Sequence, residues 1–179
     1  AKIWKSRAWE GGKVHSGFKG YVDEIWADIK MLFFKHGTNE KTKKTKNVYF
    51  TGHSLGGAAA TIGAARLGTF STGCFTFGSP RVGNRKFVKS IFCPVWRFRN
   101  KRDLVSRVPT AFFGYAHAGK FCYIDEKGVL RIGAVSFARL FKDSIKSLLN
   151  FTLGDGLLDH SISDYCKHIN NCDKVLVKK

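Results

Sequence analysis

Gly52-His53-Ser54-Leu55-Gly56 sets one serine between two glycines, each two residues away. The strand-like run Val48-Tyr49-Phe50-Thr51 precedes it, and the small-residue stretch from Ala58 to Leu67, which reads as helix, follows it. The serine therefore falls at a tight strand-to-helix turn. Such a turn strains the serine backbone, exposes its hydroxyl and aims the free N–H groups of the helix start at developing negative charge. The spacing predicts that both glycines let strand and helix approach without a Cβ clash. A serine at neutral pH needs a base, and the base needs an acid to orient it. In sites built on this kind of turn the chain order is serine, acid, histidine. His15 and His36 come too early, and His53 adjoins the serine, so its side chain must leave the turn in another direction. His168 lies in a helix-like stretch, Ser163 to Ile169, and reads as a surface or packing residue. His117, in an aromatic loop, and His160, after the loop Gly154-Asp155-Gly156, stay open as the base, with the loop favouring His160. Asp103 is the acid of choice, because it follows the strand-like run Val95 to Arg99 at the carboxyl end of a parallel sheet. A salt bridge to Arg102 or Arg107 is its competing use. Asp125, Asp143 and Asp155 read as turn or solvent-face residues.

These side chains need a frame. Apolar residues at 18, 22, 25, 29, 32 and 33 give a helical period from Phe18 to Phe34, ended by Gly37. A lysine-rich turn, Lys41 to Lys46, leads into the strand before Ser54. Cys74 to Phe77 reads as a second strand, Asn84 to Phe92 as a helix and Val95 to Arg99 as a third strand. Phe121 to Ile132 has the pattern of a hairpin turning at Glu126-Lys127-Gly128, and Phe137 to Phe151 that of an amphipathic helix. Strand, helix, strand, helix, strand implies parallel pairing through helical crossovers, so the fold class is α/β.

The 179 residues are 44% hydrophobic, which suits one domain with one core over 1–179 and excludes a disordered chain. The apolar-leaning run Leu55 to Ala65 falls short of the ~20 residues that span a bilayer. Five cysteines at irregular spacing do not make a disulfide framework. Cys166, His168 and Cys172 offer three ligands where a closed zinc site needs four, so no metal is expected and a partly buried thiol pair is the plainer reading. Thirty-one Lys and Arg against 13 Asp and Glu give a net charge of +18, which makes nucleic acid or anionic lipid a plausible partner. No zinc-finger spacing or RNA-recognition aromatic block accompanies that charge, so no specific nucleic-acid partner is expected.

Five blocks resemble the class 3 lipases, the fungal-type triacylglycerol lipase family of α/β-hydrolases. They are Val14-His15-Ser16-Gly17-Phe18, Thr51 to Gly57, Thr76-Phe77-Gly78-Ser79-Pro80-Arg81-Val82-Gly83-Asn84, Asn100 to Pro109, and Leu158-Asp159-His160-Ser161-Ile162-Ser163-Asp164-Tyr165. They run from residue 14 to 165 in the family's order. The resemblance implies an α/β-hydrolase-like, mostly parallel sheet flanked by helices. It implies Ser54 as nucleophile, Asp103 as orienting acid and His160 as general base, with the Leu55 backbone N–H as an oxyanion donor. The chemistry would be acyl transfer from a lipid ester to water, with no cofactor. The family's second oxyanion donor lies on an Arg-Gly-Thr-like loop upstream of the first block. Only 13 residues precede Val14 and none reads as that loop, so the early strands, half the oxyanion hole and most of the lid are expected to be missing. Ala1 stands first and the residues after it resemble no signal peptide, which marks the chain as processed or partial.

The lysine-rich turn would lie at the amino end of the sheet, away from the serine. Arg81, Arg85, Arg97, Arg99, Lys101, Arg102 and Arg107 surround segments leading to the carboxyl end and would draw an anionic lipid surface towards it. The leading expectation is a serine esterase acting on acylglycerol or phospholipid. Its rival is a truncated, inactive hydrolase-like domain that binds anionic membranes or a partner.

Overall fold

A computed structural model describes residues 6–9, 11–42, 44–133, 159–171 and 175–177. The amphipathic stretch 137–151, together with Asp143, Asp155 and Cys172, lies outside the described residues.

The main sheet is assembled from β3 (Tyr49–His53), β4 (Gly73–Phe77), β6 (Val95–Asn100), β8 (Lys120–Ile124), β9 (Leu130–Ile132) and β10 (Val175–Val177). Its order is β10-β9-β8-β6-β4-β3. Strands β3, β4, β6 and β8 pair in parallel, and β9 returns antiparallel to β8 as the hairpin pattern predicts. Asp125 fixes that turn by accepting hydrogen bonds from the Lys127 and Val129 N–H groups and from the Arg131 guanidinium. Helix α2 (Leu55–Leu67) makes the crossover from β3 to β4, and helix α1 (Ser16–His36) packs on α2. Seven of the 13 residues of α2 are buried, all of them small or β-branched, so the helix can lie close against the sheet. The predicted helix after β4 shortens to α3 (Arg85–Lys89), capped by the Asn84 side chain on the Phe87 N–H at 3.0 Å.

A second sheet was not legible in the sequence. Strands β1 (Ser6–Trp9), β2 (Gly12–His15), β5 (Gly83–Asn84) and β7 (Tyr115–Ala116) form an antiparallel sheet in the order β1-β2-β5-β7. Its strands are two to four residues long, too short to show a period. Ser6–Trp9 and Gly12–His15, which the sequence left without an element, pair as antiparallel β1 and β2.

The core has two clusters. Val14, Val22, Ala58, Ile62, Val82 and Phe87 join α1, α2 and the small sheet, and Ala60, Ala64, Cys74, Cys93 and Val95 join α2 to the main sheet. On the opposite sheet face Phe75 stacks on Trp96 and Phe77 on Phe98, both at 4.9 Å, as the parallel register dictates. The predicted α1 stripe buries Val22 but leaves Leu32 exposed, along with Met31 and Phe34. Among the described residues no helix is long and apolar enough to cross a membrane.

Candidate active site

The three neighbouring parallel strands β3, β4 and β6 end at His53, Phe77 and Asn100. The next residues of interest, Ser54, Gly78 and Asp103, are thereby delivered to one end of the sheet. Ser54 has φ 55° and ψ −123°, a conformation that non-glycine residues adopt only when their surroundings enforce it. Two contacts enforce it. Its N–H donates to the Phe77 carbonyl at 2.9 Å, and its carbonyl accepts from the Gly57 N–H at 3.0 Å as α2 begins.

The glycine reading needs one correction. A Cβ on Gly52 would collide with the Gly56 carbonyl and come within 2.7 Å of the Gly57 nitrogen, so this position must be bare. At Gly56 a Cβ would meet nothing within 4 Å. The close approach is at Gly57 instead, where a Cβ would sit 2.7 Å from the Ser79 Cβ. The pattern is thus Gly-x-Ser-x-x-Gly for packing, because the helix turns Gly56 outward and Gly57 towards the Gly52 carbonyl and Ser79, just past β4.

Ser54, His160 and Asp103 form one hydrogen-bonded chain. The Ser54 Oγ is 2.8 Å from His160 Nε2, and His160 Nδ1 is 3.0 Å from both Asp103 carboxylate oxygens. Asp103 is wholly buried and forms no ion pair with Arg102 or Arg107; Arg102 pairs with Glu126 instead. The Asp103 Oδ1 accepts from the Val105 N–H at 2.9 Å and the Ser106 N–H at 3.3 Å. Its Oδ2 accepts from the Tyr165 hydroxyl at 2.6 Å. Burial, reinforced by this carboxylate, pushes the Tyr165 phenol far above its ordinary range, so it acts as a donor here. Gly78 has φ 58°, and a Cβ there would lie 2.6 Å from Asp103 Oδ2 and 2.9 Å from His160 Nδ1, so only glycine leaves room for the pair.

His160 stands on a turn just before α4 (Ile162–Asn170). The turn is tied to the end of β6: Asn100 Nδ2 donates to the Asp159 carbonyl at 3.2 Å and to Asp164 Oδ2 at 2.6 Å, and the Arg102 N–H donates to Asp159 Oδ2 at 3.0 Å. His53 donates from Nε2 to the His160 carbonyl at 2.6 Å, and the two rings meet at a tilt of 33° with centroids 4.6 Å apart. Burial holds the His53 imidazole below the usual histidine range. Tyr165, Asn100 and His53 are the residues that sequence reasoning left without a role. Two of them stand inside the fourth and fifth blocks, and their spacing to Asp103 and His160 was the available signal.

The alternative bases lie elsewhere. His117 sits among arginines; burial and the charges of Arg97, Arg81 and Arg99 push it down to about 2, so it is neutral. His168 Nδ1 lies 2.9 Å from the Asp164 carbonyl on its own helix. The Leu55 N–H belongs to the first turn of α2, where no intrahelical carbonyl is available to it.

The expected basic surface is redistributed. Arg97 is only 8% exposed; its guanidinium lies over Phe121 at 4.5 Å, and Arg99 lies over Phe121 and Tyr123. The Arg81 Nη1 donates to the Arg107 carbonyl and, at 2.9 Å, to the Pro109 carbonyl. These three of the seven cations named from the sequence brace the sheet and loop, while Arg85 is exposed. Apolar side chains next to the site residues are exposed as well: Leu55 follows Ser54 and Leu104 follows Asp103, and Val108, Phe112 and Phe113 are exposed further along the chain.

With this geometry in place, comparison with known proteins shows what the chain is similar to. The family model described as "Lipase (class 3)" matches residues 2–113. A lipase of Rhizopus niveus is 34% identical over 161 residues, covering 84% of this chain and 39% of the relative. The solved structure of lipase II from Rhizopus niveus superposes with a TM-score of 0.62 and 31% identity, over 69% of this chain and 51% of that one. A triacylglycerol lipase described as having a serine protease triad at its catalytic centre superposes with a TM-score of 0.59 and 31% identity, over 68% of this chain and 50% of that one. The chain thus spans about two fifths of the length of the curated relative and half of the solved ones. Its sheet, crossover helix and serine turn are those of an α/β-hydrolase, and the chain belongs to the class 3 lipase family.

Proposed function

We propose that the protein is a lipid-ester hydrolase in which Ser54, His160 and Asp103 act as a catalytic triad on acylglycerols or phospholipids. The observation that carries this reading is the unbroken hydrogen-bonded chain from the Ser54 hydroxyl through His160 to the buried Asp103. Ser54 Oγ attacks the ester carbonyl while His160 Nε2 takes its proton. The carbonyl π electrons move onto oxygen, and the Leu55 N–H donates to the resulting oxyanion. Collapse expels the alcohol, which receives the proton from His160 and leaves an acyl-serine. Water repeats the sequence, releasing the fatty acid and restoring the Ser54 hydroxyl. Asp103 holds His160 with its proton on Nδ1 and stabilises the imidazolium that forms in each step.

A lipid surface is the natural partner for the mouth. The exposed Leu55 and Leu104, each the chain neighbour of a triad residue, support contact with acyl chains. Lys44 and Lys46 precede β3 and so lie at the other end of that strand from Ser54. The test is fatty-acid release from trioleoylglycerol emulsion and from phosphatidylglycerol vesicles, measured by pH-stat for the wild type and Ser54→Ala. Ser54-dependent release from either substrate is expected, and the preferred substrate names the class. Release that persists in Ser54→Ala contradicts the reading.

A further inference from the structure

We infer that His53 is a positioning residue for His160, clamping its backbone carbonyl by a hydrogen bond, to which a tilted ring-to-ring contact adds less. The inference rests on the reading of His160 as general base. His160 lies on a turn, outside helix and strand, so its ring plane is not set by regular structure. Two hydrogen bonds from the end of β6 hold the preceding residue, Asp159. The contact that holds the His160 carbonyl itself, among the described residues, comes from His53 Nε2 at 2.6 Å. A carbonyl oxygen can only accept, so Nε2 of His53 carries a proton and the ring is fixed in that tautomer or as the cation.

The ring contacts restrict His160 further. The His53 ring lies 4.6 Å from the His160 ring at 33°, and its edge meets Tyr165 at 5.7 Å. His53 is thus wedged between the base and the tyrosine that holds the acid. Its own position is rigid, because it is the last residue of β3 and pairs in register with Phe77. Consecutive Cα atoms are about 3.8 Å apart, so the nucleophile and the clamp on its base share one short piece of backbone. The 2.8 Å separation of Ser54 Oγ and His160 Nε2 then follows from local geometry rather than from the long chain path between them. A displacement of about 1 Å at such a contact costs up to 10²-fold in rate.

The experiment compares wild type, His53→Phe, His53→Gln and Ser54→Ala on p-nitrophenyl butyrate. Rates of the proteins that keep Ser54 are expressed per active site titrated with a fluorophosphonate, so that misfolded protein does not enter kcat, and the rate of Ser54→Ala is expressed per mole of protein. Phenylalanine keeps the ring and loses the donor; glutamine keeps a donor at similar reach. His53→Phe is expected to lower kcat roughly 10–100-fold with KM little changed, and His53→Gln to recover most of the loss. A His53→Phe kcat equal to wild type overturns the clamp, and so does a His53→Gln enzyme as slow as His53→Phe. Ser54→Ala separates the two readings. A rate independent of Ser54 removes the triad and the clamp together, whereas a Ser54-dependent rate indifferent to His53 removes the clamp alone.

Discussion

Replacing Tyr165 with phenylalanine deletes one oxygen atom from the middle of the site and little else. The side chain is 1% exposed, so its ring packing is preserved. Two bonds are lost. The hydroxyl donates to Asp103 Oδ2 at 2.6 Å and accepts from the Asn100 N–H at 2.9 Å. A hydrogen bond to a charged acceptor contributes about 1.5–3 kcal/mol, and leaving a buried N–H without a partner costs about 1–3 kcal/mol. Asn100 is fully buried, so water cannot replace the lost acceptor cheaply. With some relaxation, Tyr165→Phe should lower unfolding free energy by about 2–5 kcal/mol. Activity should fall less severely, by roughly tenfold or about 1.4 kcal/mol of transition-state stabilisation, because Asp103 keeps His160 and the Val105 and Ser106 N–H groups. Urea unfolding followed by tryptophan fluorescence at pH 7 gives the first quantity. A loss below about 0.5 kcal/mol with an unchanged urea slope would refute the buried bridge between β6 and α4.

The glycine correction predicts opposite signs for adjacent substitutions: Gly56→Ala should stabilise by up to about 1 kcal/mol through helix propensity, and Gly57→Ala should destabilise through its clash with Ser79. Thermal melts of both variants check the order. His117 has a folded pKa pushed down to about 2 from an ordinary 6.5, so the unfolded chain binds more protons below pH 6.5 and stability falls as pH drops from there. His117→Gln should therefore flatten the pH dependence between pH 6 and 4 by up to about 1.4 kcal/mol per unit, read from urea melts at several pH values.

The parallel half of the fold was legible because each of its elements carries its own period. The runs ending at Thr51, Phe77 and Arg99 read as strands, and the small-residue stretch from Ala58 to Leu67 between the first two read as helix. Ser54 and Asp103 were legible because strand ends fix where they fall. His160 was not decided by the residues alone, since it reaches the site from 106 residues away and no local pattern encodes that approach. The family blocks supplied what periodicity could not. The small sheet escaped because a strand of two residues has no pattern, and the ring contacts of Arg97 and Arg99 escaped because +18 gives the number of charges and not which of them lie over rings. Gly56 misled for a related reason: spacing identifies a glycine near a turn, but only the helix phase says which glycine faces the strand.

The central claim is that Ser54 is a nucleophile activated by His160 and Asp103. Its most direct test is mass spectrometry of the protein after exposure to a fluorophosphonate. The account predicts one phosphonyl adduct, located on Ser54, formed much more slowly in His160→Ala and absent in Ser54→Ala. An unlabelled wild type, or an adduct that forms equally fast without His160, would contradict it.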